Sequence, residues 1–203
     1  MAKYYYKGQE ILAPLDIVSN EPSFDVTTVS LKVSRATQGH QRWELGFNVV
    51  GTVDNEADMM LGTLTGLNVV ETMEMPQLPS IVTKTTVDSN SLVINSDSDE
   101  GDTTVLLDVS GRTGILPKGA FFKFSTHDKV YVATSDVDFS QSTAQTLNFY
   151  PDLKEDITAA GTTLRCKDAC LISFLRSMDN LQGITFSDGV LSSVGTINLL
   201  EAL

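Results

Sequence analysis

Arg42-Trp43-Glu44-Leu45-Gly46-Phe47-Asn48-Val49 alternates apolar and polar residues, apart from the glycine, over its whole length. Successive side chains of a β-strand point to opposite faces, so the four apolar residues from Trp43 to Val49 share one face. The pattern therefore predicts a strand with one face in a hydrophobic core and the other in solvent.

The stretch before this strand has the same period. Val29, Leu31 and Val33 alternate with polar residues, and the link at 37–40 holds the glycine expected of a hairpin loop. We therefore expect 29–34 and 42–49 to form an antiparallel pair.

One helix is predicted after the pair. Asp54 suits an N-cap, acidic residues follow in the first turn, and the apolar residues from Ala57 to Leu64 have helical spacing up to Gly66. Two prolines then interrupt the segment 75–79, which predicts a connection without regular structure and a domain boundary.

Short apolar alternations separated by turn residues follow this boundary. The five predicted strands are 92–94, 104–109, 120–124, 130–133 and 146–150. Five strands at this spacing favour a small closed or partly closed barrel of the OB type, and a sandwich also fits the pattern. Two later alternations, 171–175 and 196–200, are expected to return to the first sheet.

The overall charge argues against nucleic acid as a stable partner. Fourteen Lys and Arg residues face 26 Asp and Glu residues, a net charge of -12, so the molecule repels phosphate. Lys118, Lys123 and Lys129 lie near Phe and Tyr residues of the predicted barrel, but three lysines do not form the basic stripe that such binding needs.

Membrane insertion and export by a cleaved signal are not expected either. No apolar run approaches the roughly 20 residues of a bilayer span, and the first eight residues are polar and rich in tyrosine. We therefore expect synthesis in the cytoplasm of the producing cell.

No metal site is predicted. The acidic run from Asn95 to Asp102 places oxygen ligands at alternating positions, but Glu100 stands where a calcium loop needs glycine and Leu106 where it needs a bidentate carboxylate. A solvated hairpin loop is the preferred interpretation. Cys166 and Cys170 have the spacing of neither a redox pair nor a zinc knuckle, so we expect two buried or half-buried thiols on a strand.

No catalytic or cofactor-binding residues are predicted. Ser125, His127 and Asp128 have the residue types of a hydrolase triad, but they lie too close in sequence to converge and more simply form a turn. The segment Gly111-Arg112-Thr113-Gly114 lacks the lysine and hydroxyl residue that complete a phosphate-binding loop. The expected class is therefore a non-enzymatic protein without a cofactor.

Three segments carry a family resemblance. The stretch from Leu116 to Tyr131, with its Phe-Lys-x-Ser-Thr-His-x-Lys-Val-Tyr sequence, the segment Leu147-Asn148-Phe149-Tyr150-Pro151-Asp152-Leu153 and the final residues 195–203 resemble the distal tail protein of T-five-like long-tailed bacteriophages. The strand at 43–47 followed by the predicted helix at 54–64 is similar to the tail-tube-like domain of distal tail proteins generally.

The resemblance implies a fold and a structural role. Residues 1–79 and 168–203 would form a discontinuous, tail-tube-like β-sandwich domain with one helix, and residues 80–167 an inserted, outward OB-type barrel. Six copies would form a ring that joins the tail tube to the baseplate at the virion tail tip. The implied partners are itself, the tail tube protein, the baseplate hub and fibre or collar proteins, with genome DNA passing through the lumen.

Two alternatives remain. One is another tail-tube or baseplate subunit with the same inner fold. The other is a carbohydrate-binding β module for host glycans, which would need exposed aromatic rings for stacking on sugars. Trp43, the single tryptophan, lies on the predicted core face, which disfavours sugar binding.

Overall fold

The structure is a computed structural model that describes residues 4–27, 33–37, 40–49, 68–87, 92–141, 143–177, 185–188, 190–193 and 195–203. In these ranges the chain is mostly β-strand, with one short α-helix and a closed β-barrel. The expected mainly-β fold is confirmed. The helix predicted at 54–64 lies outside the described residues.

The elements of the described residues are numbered in chain order. The strands are β1 (Tyr5–Tyr6), β2 (Gln9–Asn20), β3 (Ser23–Thr27), β4 (Val33–Thr37), β5 (Arg42–Val49), β6 (Glu71–Glu74), β7 (Leu92–Ile94), β8 (Thr104–Asp108), β9 (Ile115–Leu116), β10 (Phe121–Phe124), β11 (Val130–Ala133), β12 (Val137–Asp138), β13 (Gln145–Tyr150), β14 (Thr163–Cys166), β15 (Leu171–Arg176), β16 (Thr185–Ser187), β17 (Val190–Ser193) and β18 (Ile197–Glu201). The helix α1 spans Pro79–Lys84, and a 3-10 turn spans Lys167–Ala169.

The chain divides into two compact units. The first consists of Val70–Phe174 with the terminal segments Met1–Tyr6 and Ala202–Leu203, and the second consists of Lys7–Val69 and Leu175–Glu201. The sequence predicts one domain formed by residues 1–79 and 168–203 and a second formed by residues 80–167. These limits stay a prediction.

The first unit is built on a closed barrel. Its strand order is β10-β11-β13-β8-β7-β14, and every neighbouring pair is antiparallel. The barrel has six strands rather than the expected five, because β14 pairs with both β10 and β7 and closes the gap between them. The OB-type assignment rested on five strands and stays a prediction.

Aromatic rings fill the barrel. Phe122, Phe124 and Tyr131 are fully buried, and Phe149 is nearly so. The ring centroids of Phe122 and Tyr131 lie 5.8 Å apart, and those of Tyr131 and Phe149 lie 5.4 Å apart. Aromatic pairs at such distances add to the hydrophobic stabilisation that their burial provides, so this cluster is the centre of the first core.

Helix α1 and the chain after it are fixed against β9. Pro79 begins the helix, a position that tolerates the missing N–H of proline, whereas Met75–Leu78 has no regular structure, as expected. After the helix, the Thr86 N–H donates to the Ile115 carbonyl over 3.0 Å, and the Ile115 N–H donates to the Thr86 hydroxyl over 2.8 Å. Two bonds thus hold this segment beside β9.

Gly114 permits this close approach. Its φ is +115°, and a Cβ atom at this position would lie 2.9 Å from the backbone of Thr86 and Val87. Real Cβ atoms essentially never come so close to a backbone atom, so a side chain at residue 114 would force the two segments apart.

We expect Gly114→Ala to lower the free energy of unfolding by at least about 2 kcal/mol, because strain at positive φ and overpacking act together. The matched control is Gly161→Ala, which has φ +90° but no atom within 4 Å of the added Cβ. Urea unfolding of both variants separates the two causes. Equal losses would show that backbone strain alone matters and that the close approach costs nothing.

The second unit is built around β5. Strand β2 pairs with one edge of β5 and β18 with the other, both antiparallel, with Leu45 opposite Ile17 and Leu199. Trp43, Leu45 and Phe47 are buried, while Arg42 and Asn48 are exposed. The alternation predicted for 42–49 is confirmed, and so is the expectation that the last strand joins this sheet.

The predicted pairing of 29–34 with 42–49 is wrong. The described part of that stretch belongs to β4, which pairs with β3 from Ser23↔Thr37 to Thr27↔Val33. Both edges of β5 are occupied by β2 and β18 instead. A period of two predicts that a segment is a strand but does not identify its partner. Val29 and Leu31 lie outside the described residues.

Candidate functional site

The acidic run from Asn95 to Asp102 forms a loop held by its own carboxylates. Asp97 Oδ1 accepts from the Ala159 N–H over 2.7 Å, and Asp102 Oδ2 accepts from the Asp99 N–H over 3.1 Å. A backbone bridge joins Ser98 and Ile157 beneath them. These carboxylates therefore satisfy backbone donors, and in the described part of the chain no three His, Cys, Asp or Glu residues come together as metal ligands.

Ser125, His127 and Asp128 form the expected turn, and each has a different partner. The His127 N–H closes the turn onto the Phe124 carbonyl over 3.2 Å. Ser125 Oγ accepts from the Thr163 N–H over 3.0 Å, while Asp128 Oδ1 lies 3.2 Å from the Lys123 ammonium. The three side chains do not converge as nucleophile, base and orienting acid.

His127 is a buried titratable group of the first unit. Its Nδ1 lies 3.0 Å from the Tyr131 hydroxyl, which also accepts from the Lys154 N–H over 3.3 Å. Its Nε2 is buried without a hydrogen-bond partner within the described residues. Burial lowers the pKa of His127 below its ordinary value, because the charged ring loses its hydration; the backbone of Asp156 and the neighbouring Glu155 and Asp128 carboxylates act in the opposite direction.

We therefore expect the protein to lose stability as the pH falls. A histidine whose folded pKa lies below its unfolded value contributes stability that is present above the unfolded pKa, near 6.5, and is lost as the pH falls through it. The melting temperature of His127→Gln should therefore fall less between pH 7 and pH 5.5 than that of the unmodified protein. His40→Gln, which removes the other histidine, is the control; identical slopes for all three proteins would contradict the assignment.

The aromatic and basic residues considered for nucleic-acid binding do not form a surface. Phe122, Phe124 and Tyr131 point into the barrel, as their complete burial requires. Lys123 and Lys129 are also buried, which leaves Lys118 as the exposed lysine of the three. Bases would find neither rings to stack on nor a basic track at these positions.

Trp43 and the two cysteines are core residues. Trp43 is 6% exposed, and its backbone N–H donates to the carboxylate of the buried Glu201 over 3.1 Å. Cys166 and Cys170 are buried thiols, within the range of the prediction. The strongest ring for stacking on a sugar is therefore not on the surface.

The ribbon formed by β3 and β4 is the candidate assembly surface of the second unit. It is a separate two-stranded sheet, and the described side chains of β3 are exposed, with Val26 at 61%. Leu12 and Val18 add exposed apolar groups on β2. A two-stranded ribbon is marginally stable in water by itself, so such a surface fits contact with another chain.

Gln77 has a structural role that the sequence does not predict. Its side-chain amide accepts from the Phe121 N–H over 3.3 Å and donates to the Phe121 carbonyl over 3.4 Å, as a neighbouring strand would. The Gln77 backbone N–H donates to the Tyr4 hydroxyl over 2.8 Å, and this hydroxyl donates to the Gln77 carbonyl, also over 2.8 Å. A lone glutamine between two prolines carries no pattern from which this role could be predicted.

Among the described residues, no helix has the length and hydrophobicity to cross a bilayer. A comparison with curated proteins finds no match to the chain. Residues 82–163, about two fifths of the chain, match the family model of the B domain of the distal tail protein pb9. This match supports a place in the phage distal tail protein family, and with it a structural role in a phage tail and a position in the virion.

Proposed function

We propose that this protein is a distal tail protein that forms a homo-hexameric ring at the virion tail tip and joins the tail tube to the baseplate. The match over residues 82–163 carries the proposal. It covers β7, β8, β10, β11 and β13 of the barrel and two of the three segments that resemble T-five-like distal tail proteins, 116–131 and 147–153. The neighbours would be the tail tube protein, the baseplate hub and fibre or collar proteins.

The exposed ribbon of the second unit supports assembly into a ring. The side chains of Asp25, Val26 and Thr27 are all exposed, and the ribbon is hydrogen-bonded to no other sheet of the described chain. Neighbouring subunits would cover it and satisfy its free edges. Interfaces of permanent complexes bury more than about 2,000 Å², and we expect the ring interface to belong to this class.

The net charge of -12 supports a role beside passing DNA. Like charges prevent phosphates from being held, so genome DNA would slide through an acidic lumen without binding. The protein would be made in the cytoplasm of the host and become part of the virion there.

Immunogold labelling of virions that carry this protein tests the proposed location. Label concentrated at the tail tip is the expected result, because the ring would lie between the tube and the baseplate. Label along the whole tail would instead favour a tail tube subunit, the first alternative. A glycan-binding module is disfavoured by the burial of Trp43 and of the barrel rings Phe122, Phe124 and Tyr131.

A further inference from the structure

A groove on the first unit lies between the end of α1 and the strands β9 and β12. It has a volume of about 340 Å³ and is lined by Ile81, Lys84, Ile115, Pro117, Lys118 and Asp136. Every lining residue belongs to the first unit, and five of the six lie within the matched residues 82–163. No role described above uses this groove.

The walls of the groove are fixed by backbone contacts. Thr86 holds the end of α1 to Ile115 by two hydrogen bonds, and Ile115 also pairs with Asp138 of β12. The Lys118 N–H donates to Asp136 Oδ1 over 2.7 Å. A ligand would therefore meet a preformed surface and would not have to order it, which lowers the cost of binding.

The chemistry of the groove is aliphatic in the middle and cationic at two sides. Ile115 is 43% exposed although it is a large apolar residue, and it lies with Ile81 and Pro117. Among the described residues, neither the Lys84 nor the Lys118 ammonium is paired with a carboxylate. Asp136 is the acidic group of the lining, and its carboxylate is engaged by a backbone donor.

We propose that this groove, named here the Lys84–Lys118 groove, binds an acidic peptide segment of another tail protein. An aliphatic side chain of the segment would cover Ile115, and flanking carboxylates would face the two ammonium groups. Charge complementarity favours this occupant, because two free cations stand beside an apolar surface on a chain whose net charge is -12. The proposal rests on the proposed function for the source of the segment.

Fluorescence anisotropy with rhodamine-labelled pentapeptides tests the groove on the full chain. At low salt the peptide LDLEL should bind about tenfold or more tightly than its neutral isostere LNLQL, whereas LKLKL should not bind. Lys84→Glu and Lys118→Glu should each weaken LDLEL about fivefold, and Ile115→Ser should weaken LDLEL and LNLQL alike.

The matched control is Arg165→Glu, which changes the net charge equally at an exposed position of β14 outside the groove. It should leave the affinity for LDLEL within about twofold, because a single distant surface charge is screened. Equal weakening by Arg165→Glu and Lys84→Glu would mean that LDLEL responds to net charge and would overturn the proposal.

Other outcomes would also overturn it. Equal affinity for LDLEL and LNLQL would remove the role of the lysines, and displacement of LDLEL by oligothymidylate would assign the groove to nucleic acid. Self-association that Lys84→Glu abolishes would assign it to a second copy of this chain. None of these results bears on the immunogold position, so the groove and the proposed function fail separately.

Discussion

Trp43→Ala should lower the free energy of unfolding by about 3 to 5 kcal/mol, because a large buried aromatic side chain leaves a cavity that the sheet cannot close. Trp43 is 6% exposed and lies on β5, the strand between β2 and β18. The loss is a large share of the stability of a typical domain. Urea unfolding followed by circular dichroism measures it.

One control variant and one alternative function define this result. Trp43→Phe keeps most of the apolar volume and should cost clearly less than Trp43→Ala. A glycan-binding protein would behave differently: its alanine variant would keep the unfolding midpoint and lose affinity for sugar. An unchanged midpoint in Trp43→Ala would therefore contradict the core assignment.

Phe124→Ala should destabilise the barrel by a similar amount, about 3 to 5 kcal/mol. The Phe124 ring is fully buried, and its centroid lies 5.3 Å from that of Tyr131 and 5.4 Å from that of Phe122. Its removal would leave a cavity in the cluster and would end the edge-on contact with His127 at 5.7 Å. Phe124→Leu should cost less, because leucine fills part of the space.

Phe121→Ala is the matched control on the same strand. Phe121 is half-buried, so we expect a loss of about 1 to 2 kcal/mol from its smaller buried area. Trp43, the single tryptophan of the chain, belongs to the second unit, so its fluorescence reports the unfolding of that unit separately. If Phe124→Ala and Phe121→Ala lost equal stability, Phe124 would not be at the centre of the core.

The strands with clear alternation were predictable from the sequence. The prediction for 92–94 and 130–133 agrees with β7 and β11 to the residue, and β5 has the predicted buried face. In β5, one face meets a core and the other is more exposed, and the hydrophobic effect imposes that difference on the sequence. Where a strand has one buried and one exposed face, a period of two is visible in its sequence.

Other strands were hidden for physical reasons. In β2 the register shifts between Leu12 and Leu15, so the apolar positions change face within the strand and the alternation breaks. Strand β14 was not predicted: it has only two buried residues, Leu164 and Cys166, with the exposed Arg165 between them. The partner of β4 was predicted wrongly because a period of two does not identify pairs: β4 pairs with the strand before it, β3, and not with the strand after it, β5.

The prediction of no catalytic residues rested on residue types and their spacing. The binding surfaces could not be predicted from the sequence in this way. The Lys84–Lys118 groove joins residues that are up to 55 positions apart, between Ile81 and Asp136, and no local pattern connects them. The turn at His127 was predicted, but the contact of its ring with the Tyr131 hydroxyl was not.

Cryo-electron microscopy of the tail tip in virions that carry this protein tests the central claim most directly. The account predicts one ring of six copies at the end of the tail tube, with the β3–β4 ribbon against a neighbouring subunit and the barrel on the outside. A tail tip without this chain, or a stack of its rings along the whole tube, would contradict the account.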